Sequence, residues 1–196
     1  MKIVLFNPFE KFSASKLLVF GIIATLIGSY LGYVFNGRFD GVIDLHFNEE
    51  TTLAQPFVDN AINILCLSLS LFVIGRIINK KTRFIDVLIP AMIARIPFYF
   101  LTLTNINNFM ITFSNEILEN LDLKNPEKFH LEPVNLITML LSAIVSIGML
   151  VLFVILLFRG FKTATNCKTP NHTLLFVVGI ILAEILSKVI IYFTNY

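Results

Sequence analysis

The sequence predicts an all-α integral membrane fold: a bundle of five transmembrane helices with two acidic outer loops that pair into a small β cap. Three observations lead there. Of 196 residues, 56% are hydrophobic and 14% charged, whereas soluble domains are about 45–50% apolar and about a quarter charged. The mean hydropathy is +0.81. Five separate runs each supply the roughly 20 mostly apolar residues needed to cross a hydrocarbon core of about 30 Å, and the basic residues gather in alternate connections.

The elements follow in order. Residues 1–16 form an interfacial segment, in which FNPFEKFSASK sets Phe6, Phe9 and Phe12 three residues apart. Pro8 stands where a first helical turn tolerates it, so either a short helix lies at the lipid surface or the first span starts raggedly. The spans cover about 17–35, 61–78, 86–104, 135–158 and 173–193. No cleavage site of the small-x-small type follows the first run, which therefore reads as retained. The whole chain, 1–196, reads as a single membrane domain without internal repeats.

Small residues mark one face of the first span: Gly21, Thr25, Gly28 and Gly32. Gly28 and Gly32 form a GxxxG pair that lets another backbone approach, either within the bundle or from another copy. Ser142 and Ser146 on the fourth span match the pattern more weakly. Pro90 and Pro97 flank Arg95 in the third span, LIPAMIARIPFYFLTL.

The loops set the orientation. Lys2, Lys11 and Lys16, then Arg76, Lys80, Lys81 and Arg83, then Arg159, Lys162 and Lys168 lie on one face; Arg38, Lys124 and Lys128 lie on the other. By the positive-inside rule the N-terminus is cytoplasmic and the C-terminus outside, in a cell inner membrane. The seven loop cations from Arg76 to Lys168 suit anionic headgroups or an acidic partner. A homo-oligomer or membrane-protein partner is also expected, and no nucleic acid.

The outer loops are acidic. In the first, GVIDLHFN alternates Ile43, Leu45 and Phe47 against Asp44, His46 and Asn48, a short strand pattern, with KFHLEP of the third loop as its expected partner. Asp40, Asp44, His46 and Glu49 are weak candidates for a cation site, carboxylates suiting hard ions and histidine softer ones. A solvated acidic loop is the plainer reading. Cys66 and Cys167 fall at opposite faces, too far apart to bridge.

No phosphate loop, dinucleotide fingerprint or paired-histidine helix occurs, and no nucleophile elbow; neither an enzyme nor a cofactor is expected. What remains is the intramembrane charge. Arg95 lies about 14 Å in from Asp86 and Glu184 about 17 Å in from Thr173, at 1.5 Å per residue. An unpaired charge at such depth costs about 2.5–3.5 kcal/mol on insertion scales. Direct pairing of Arg95 with Glu184 is therefore expected, with Lys188 at i,i+4. The cluster reads first as a structural pin, with a ligand or headgroup pocket and a transport site as alternatives.

Asn7, Pro8 and Phe12 make an N-P-x-x-x-F element, and NKKTRFIDVLIPAMIARIP ends at Pro97 before a basic fourth loop and a final span. In this layout the chain resembles the Yip family of five-span membrane proteins. DLHFN at 44–48 only echoes the DLYGP-like segment of eukaryotic members, so the resemblance is to the short bacterial branch. It implies a five-helix bundle, N-terminus inside, with an adaptor or membrane-organising role and no catalytic residues. The expected function is a non-enzymatic scaffold or adaptor binding lipid or protein; the alternative is a small transporter using Arg95, Glu184 and Lys188.

Overall fold

The computed structural model describes residues 7–120 and 132–194. A 3-10 turn at Pro8–Glu10 leads into α1 (Ala14–Val34). Two short strands follow, β1 (Gly37–Arg38) and β2 (His46–Phe47), then α2 (Ala54–Ile78), α3 (Phe84–Ala94) and α4 (Ile96–Leu101). A 3-10 segment (Thr102–Asn108) precedes α5 (Phe109–Asn120), α6 (Pro133–Thr165) and α7 (Pro170–Phe193). Five helical stretches are long and apolar enough to cross a membrane, the third running from Phe84 to Leu118.

Hydropathy alone finds the middles of these helices and misses their ends. α2 begins at Ala54 rather than near 61, because Gln55, Asp59 and Asn60 are buried inside the bundle despite their polarity. α6 continues past Arg159 and Lys162 to Thr165, carrying its last turn of charge beyond the apolar run. The third span is broken where the prolines predict. Pro97 follows the residue that opens α4 and cannot donate to the preceding turn, so α3 stops at Ala94 and Arg95 forms the joint.

α2 and α3 form the centre. α7 packs along α2, α6 along α3 and α4, and α1 against α2, α3 and α4. Because lipid tails are as apolar as leucine, helix contacts in a membrane depend on close fit and internal polar bonds. The glycines of α1 supply the fit. A Cβ on Gly28 would collide with the Tyr99 ring, and one on Gly32 would come within 2.9 Å of Phe39 and Pro56. Gly21 faces Met92 in the same way, at 3.1 Å. The GxxxG face is thus used inside the bundle. On α6, by contrast, Gly148 has nothing nearby, and much of the apolar surface from Val134 to Val151 is exposed.

The expected β cap is smaller and more local. β2 pairs antiparallel with β1, Gly37 opposite Phe47 and Arg38 opposite His46. A nearby strand closes a short loop at low entropic cost. The expected partner, KFHLEP, lies through Leu131 outside the described residues. The alternation over 43–48 does not set burial either: Val42, not Ile43, is fully buried.

Candidate functional site

Both Phe39 and Val42 are wholly buried and Arg38 nearly so. The connection between α1 and α2 is therefore a strap folded down into the acidic end of the bundle. Non-helical backbone at that level is tolerated only where protein surrounds it and satisfies its polar groups, and the helices do so residue by residue. Arg38 makes a two-pronged bond to Asp59, with Nε at 2.7 Å and a terminal nitrogen at 3.1 Å. The Phe39 amide donates to the same carboxylate at 3.3 Å, and the Phe39 carbonyl accepts from Asn63 at 2.6 Å.

The three charges expected within the membrane take Val42, Ile43 and Asp44. Arg95 donates to the Val42 carbonyl at 2.7 Å. Glu184 accepts from the Ile43 amide at 2.9 Å. Lys188 stands 2.8 Å from Asp44 and 3.3 Å from Glu184. Gly41 is needed for this approach, since a Cβ there would lie 2.5 Å from the Glu184 carboxylate.

This corrects one expectation. Arg95, Glu184 and Lys188 do converge, but Arg95 and Glu184 do not pair directly. They act on successive residues of a strap that sequence reasoning placed outside. Among the described residues Arg95 has no ion-pair partner within 4.0 Å; Tyr99, then Glu184 and Asp59, act on it electrostatically. Its second terminal nitrogen donates to Asn60 at 2.9 Å, and Asn60 in turn donates to Ser29 on α1 at 3.0 Å. The guanidinium also lies 5.6 Å from the Phe39 ring and 5.9 Å from Phe98, contacts of a kind worth from about 0.5 kcal/mol when exposed to about 2 kcal/mol when desolvated. A carbonyl, an amide and two aromatic faces thus replace the carboxylate. Its Nε, with Asn63 Oδ1 and Ser68 Oγ, is buried without a hydrogen-bond partner.

Sequence reasoning missed Arg38, Asp59, Asn60 and Asn63 as site residues. A signal was present: Asp59, Asn60 and Asn63 share one face of a helix, and Arg38 is an isolated base amid acids.

At the rim of the strap His46 Nδ1 lies 2.8 Å from Asp40. The bond to Asp40 raises the His46 pKa above its ordinary 6.5, against burial. Burial pushes Asp40 up, but its bond to His46 and the charges of His46, Arg38 and Lys188 outweigh this and hold it below the ordinary 3.8. The weak cation candidates are thus divided: Asp40 with His46, Asp44 with Lys188, and Glu49 exposed. Among the described residues no group of three or more His, Cys, Asp or Glu side chains is placed to hold a metal ion. Cys66 and Cys167 are free and buried.

The opposite end is built differently. Arg76, Lys80, Lys81, Arg83, Arg159, Lys162 and Lys168 are all exposed. The two basic loops meet at Gly75, where a Cβ would touch both Thr82 and Thr165 at 3.1 Å. Arg83 pairs with Asp86 at 2.7 Å; among the described residues the other six have no ion-pair partner.

No family model matches the chain, and no curated protein or solved structure does.

Proposed function

We propose that the chain is a non-enzymatic membrane scaffold or adaptor, a single Yip-like membrane domain of the bacterial inner membrane whose basic end binds anionic headgroups or an acidic partner. The observation that carries this reading is the contrast in its charges. Seven exposed cations gather at one end, six of them without an ion-pair partner among the described residues, whereas the charges of the other end are engaged in holding a strap. The positive-inside rule makes that basic end cytoplasmic, and each exposed base near an anionic leaflet contributes about 1 kcal/mol of attraction.

The test is a variant with Arg76, Lys80, Lys81, Arg83, Arg159, Lys162 and Lys168 changed to Gln. Folding should hold, since exposed positions change stability by about 0.5 kcal/mol or less each, with a somewhat larger loss at Arg83, which caps α3 through Asp86. Enrichment of anionic over zwitterionic lipid in the extracted protein should fall several-fold; unchanged enrichment contradicts the reading. Orientation is checked by cysteine labelling, with a probe at Asn166 protected from outside reagents and one at Glu50 reactive.

A carrier is the second reading, favoured by Arg95 Nε, Asn63 Oδ1 and Ser68 Oγ, three of the five buried polar side-chain atoms without a partner among the described residues. It requires that Glu184→Gln leave folding intact and abolish a transmembrane flux. A flux that persists in that variant removes Glu184 from any such path.

A further inference from the structure

A groove of about 630 Å³ lies between α1, the joint of α3 with α4, and α6. Its floor is Leu17, Ile93 and Leu156, all buried, and Phe20 and Phe100 stand exposed at its margins. Lys16, in the first turn of α1, lines its basic end and is exposed. Every other lining side chain is apolar, and among the described residues Lys16 has no ion-pair partner.

We propose that this groove is a specific site for one anionic phospholipid, an acyl chain lying along the floor and the phosphate on Lys16. The inference rests on the reading of the chain as membrane-embedded and lipid-binding, and it locates a site apart from the seven loop cations. Size and charge choose the occupant. The volume lies in the range of about 300–1,000 Å³ typical of ligand clefts. A helix about 10–12 Å across fills on the order of 500 Å³ per 5.4 Å turn, so a second copy could seat little more than one turn. An acyl chain is thin and flexible enough to follow the floor. Charge supplies the selectivity: bulk lipid offers the same apolar contact, so preference for one lipid over its neighbours must come from Lys16 and the phosphate.

Native mass spectrometry of the full chain tests this, with phosphatidylglycerol and phosphatidylethanolamine of identical acyl chains supplied together. One phosphatidylglycerol per chain should survive collisional activation. Ile96→Trp, which fills the groove, should remove that adduct. Lys16→Gln, at an exposed position, should lower the preference for the anionic lipid at least several-fold without altering the melting temperature. The adduct should persist in the variant lacking the seven loop cations. Equal retention of both lipids, displacement by soluble glycerol phosphate, or an adduct indifferent to both groove variants would overturn the site. If only the loop variant loses lipid, the groove falls and the headgroup reading stands; if only the groove variants do, the reverse holds.

Discussion

The two ends of this molecule use charge in opposite ways. At the acidic end the ionic groups engage the strap and its buried helix face: Arg38 on Asp59, Arg95 on the Val42 carbonyl, Glu184 on the Ile43 amide, and, at the exposed edge, Lys188 on Asp44. At the basic end seven cations point out, and Arg83 is the one with a carboxylate partner among the described residues. The lesson is that a charged residue in an apolar chain can serve as a backbone anchor or as a contact surface, and its immediate sequence does not distinguish the two. Substitutions at the acidic end should therefore be read in stability, and those at the basic end in binding.

The largest effect is expected at Asp59. Asp59→Leu removes the two-pronged carboxylate from buried Arg38 and leaves Asp40 at 3.9 Å; breaking a buried pair costs about 3–5 kcal/mol, and unfolding in detergent should show a loss up to that size. Arg95→Leu comes next. It strands the Val42 carbonyl and Asn60 Oδ1, each a buried acceptor costing about 1–3 kcal/mol when unpaired. Adding Glu184→Leu should deepen the loss, because the Ile43 amide then loses its acceptor too. Recovery in the double variant would restore a direct Arg95–Glu184 pair and remove the strap from the explanation.

Smaller effects sharpen the same contrast. Gly28→Leu must displace Tyr99, and overpacking of this kind costs about 1–3 kcal/mol. Gly148→Leu, on open surface, should leave the monomer's melting temperature unmoved or slightly raised. The smallest effect is in pH. Raised in the fold, His46 stabilises the strap fully below its ordinary 6.5 and loses that contribution as pH rises through the raised value. Asp40, held low, contributes above its ordinary 3.8 and loses it as pH falls through the lowered value. Strap stability should thus be greatest in mildly acidic solution, by less than about 1 kcal/mol for so exposed a pair. A melting profile measured against pH should lose its alkaline slope in His46→Gln.

Much of the fold was legible in the chain. Length and apolarity mark five spans, and Pro97 marks the break after Ala94, because a missing backbone donor acts locally. The chain also marks Arg95, Glu184 and Lys188 as charges that need partners, but the direct Arg95–Glu184 pair it suggests is not formed. Their actual partners were not legible. Hydropathy treats Asp59 and Asn60 as loop residues, although Arg38 and Arg95 satisfy them inside the bundle. Nor does any local pattern reveal that Gly32 leaves room for Phe39, or Gly41 for Glu184. Those fits join residues far apart in sequence, and only the packed bundle brings them together.

If Arg95 and Glu184 hold the strap inside the bundle, hydrogen–deuterium exchange of the strap will register it without intermediaries. The amides of Phe39 and Ile43, bonded to Asp59 and Glu184, should exchange slowly in the native protein. In Arg95→Leu they should exchange faster by an order of magnitude or more while α2 and α6 keep their protection. A strap that exchanges freely in the native protein, or as slowly in Arg95→Leu as before, would contradict the account.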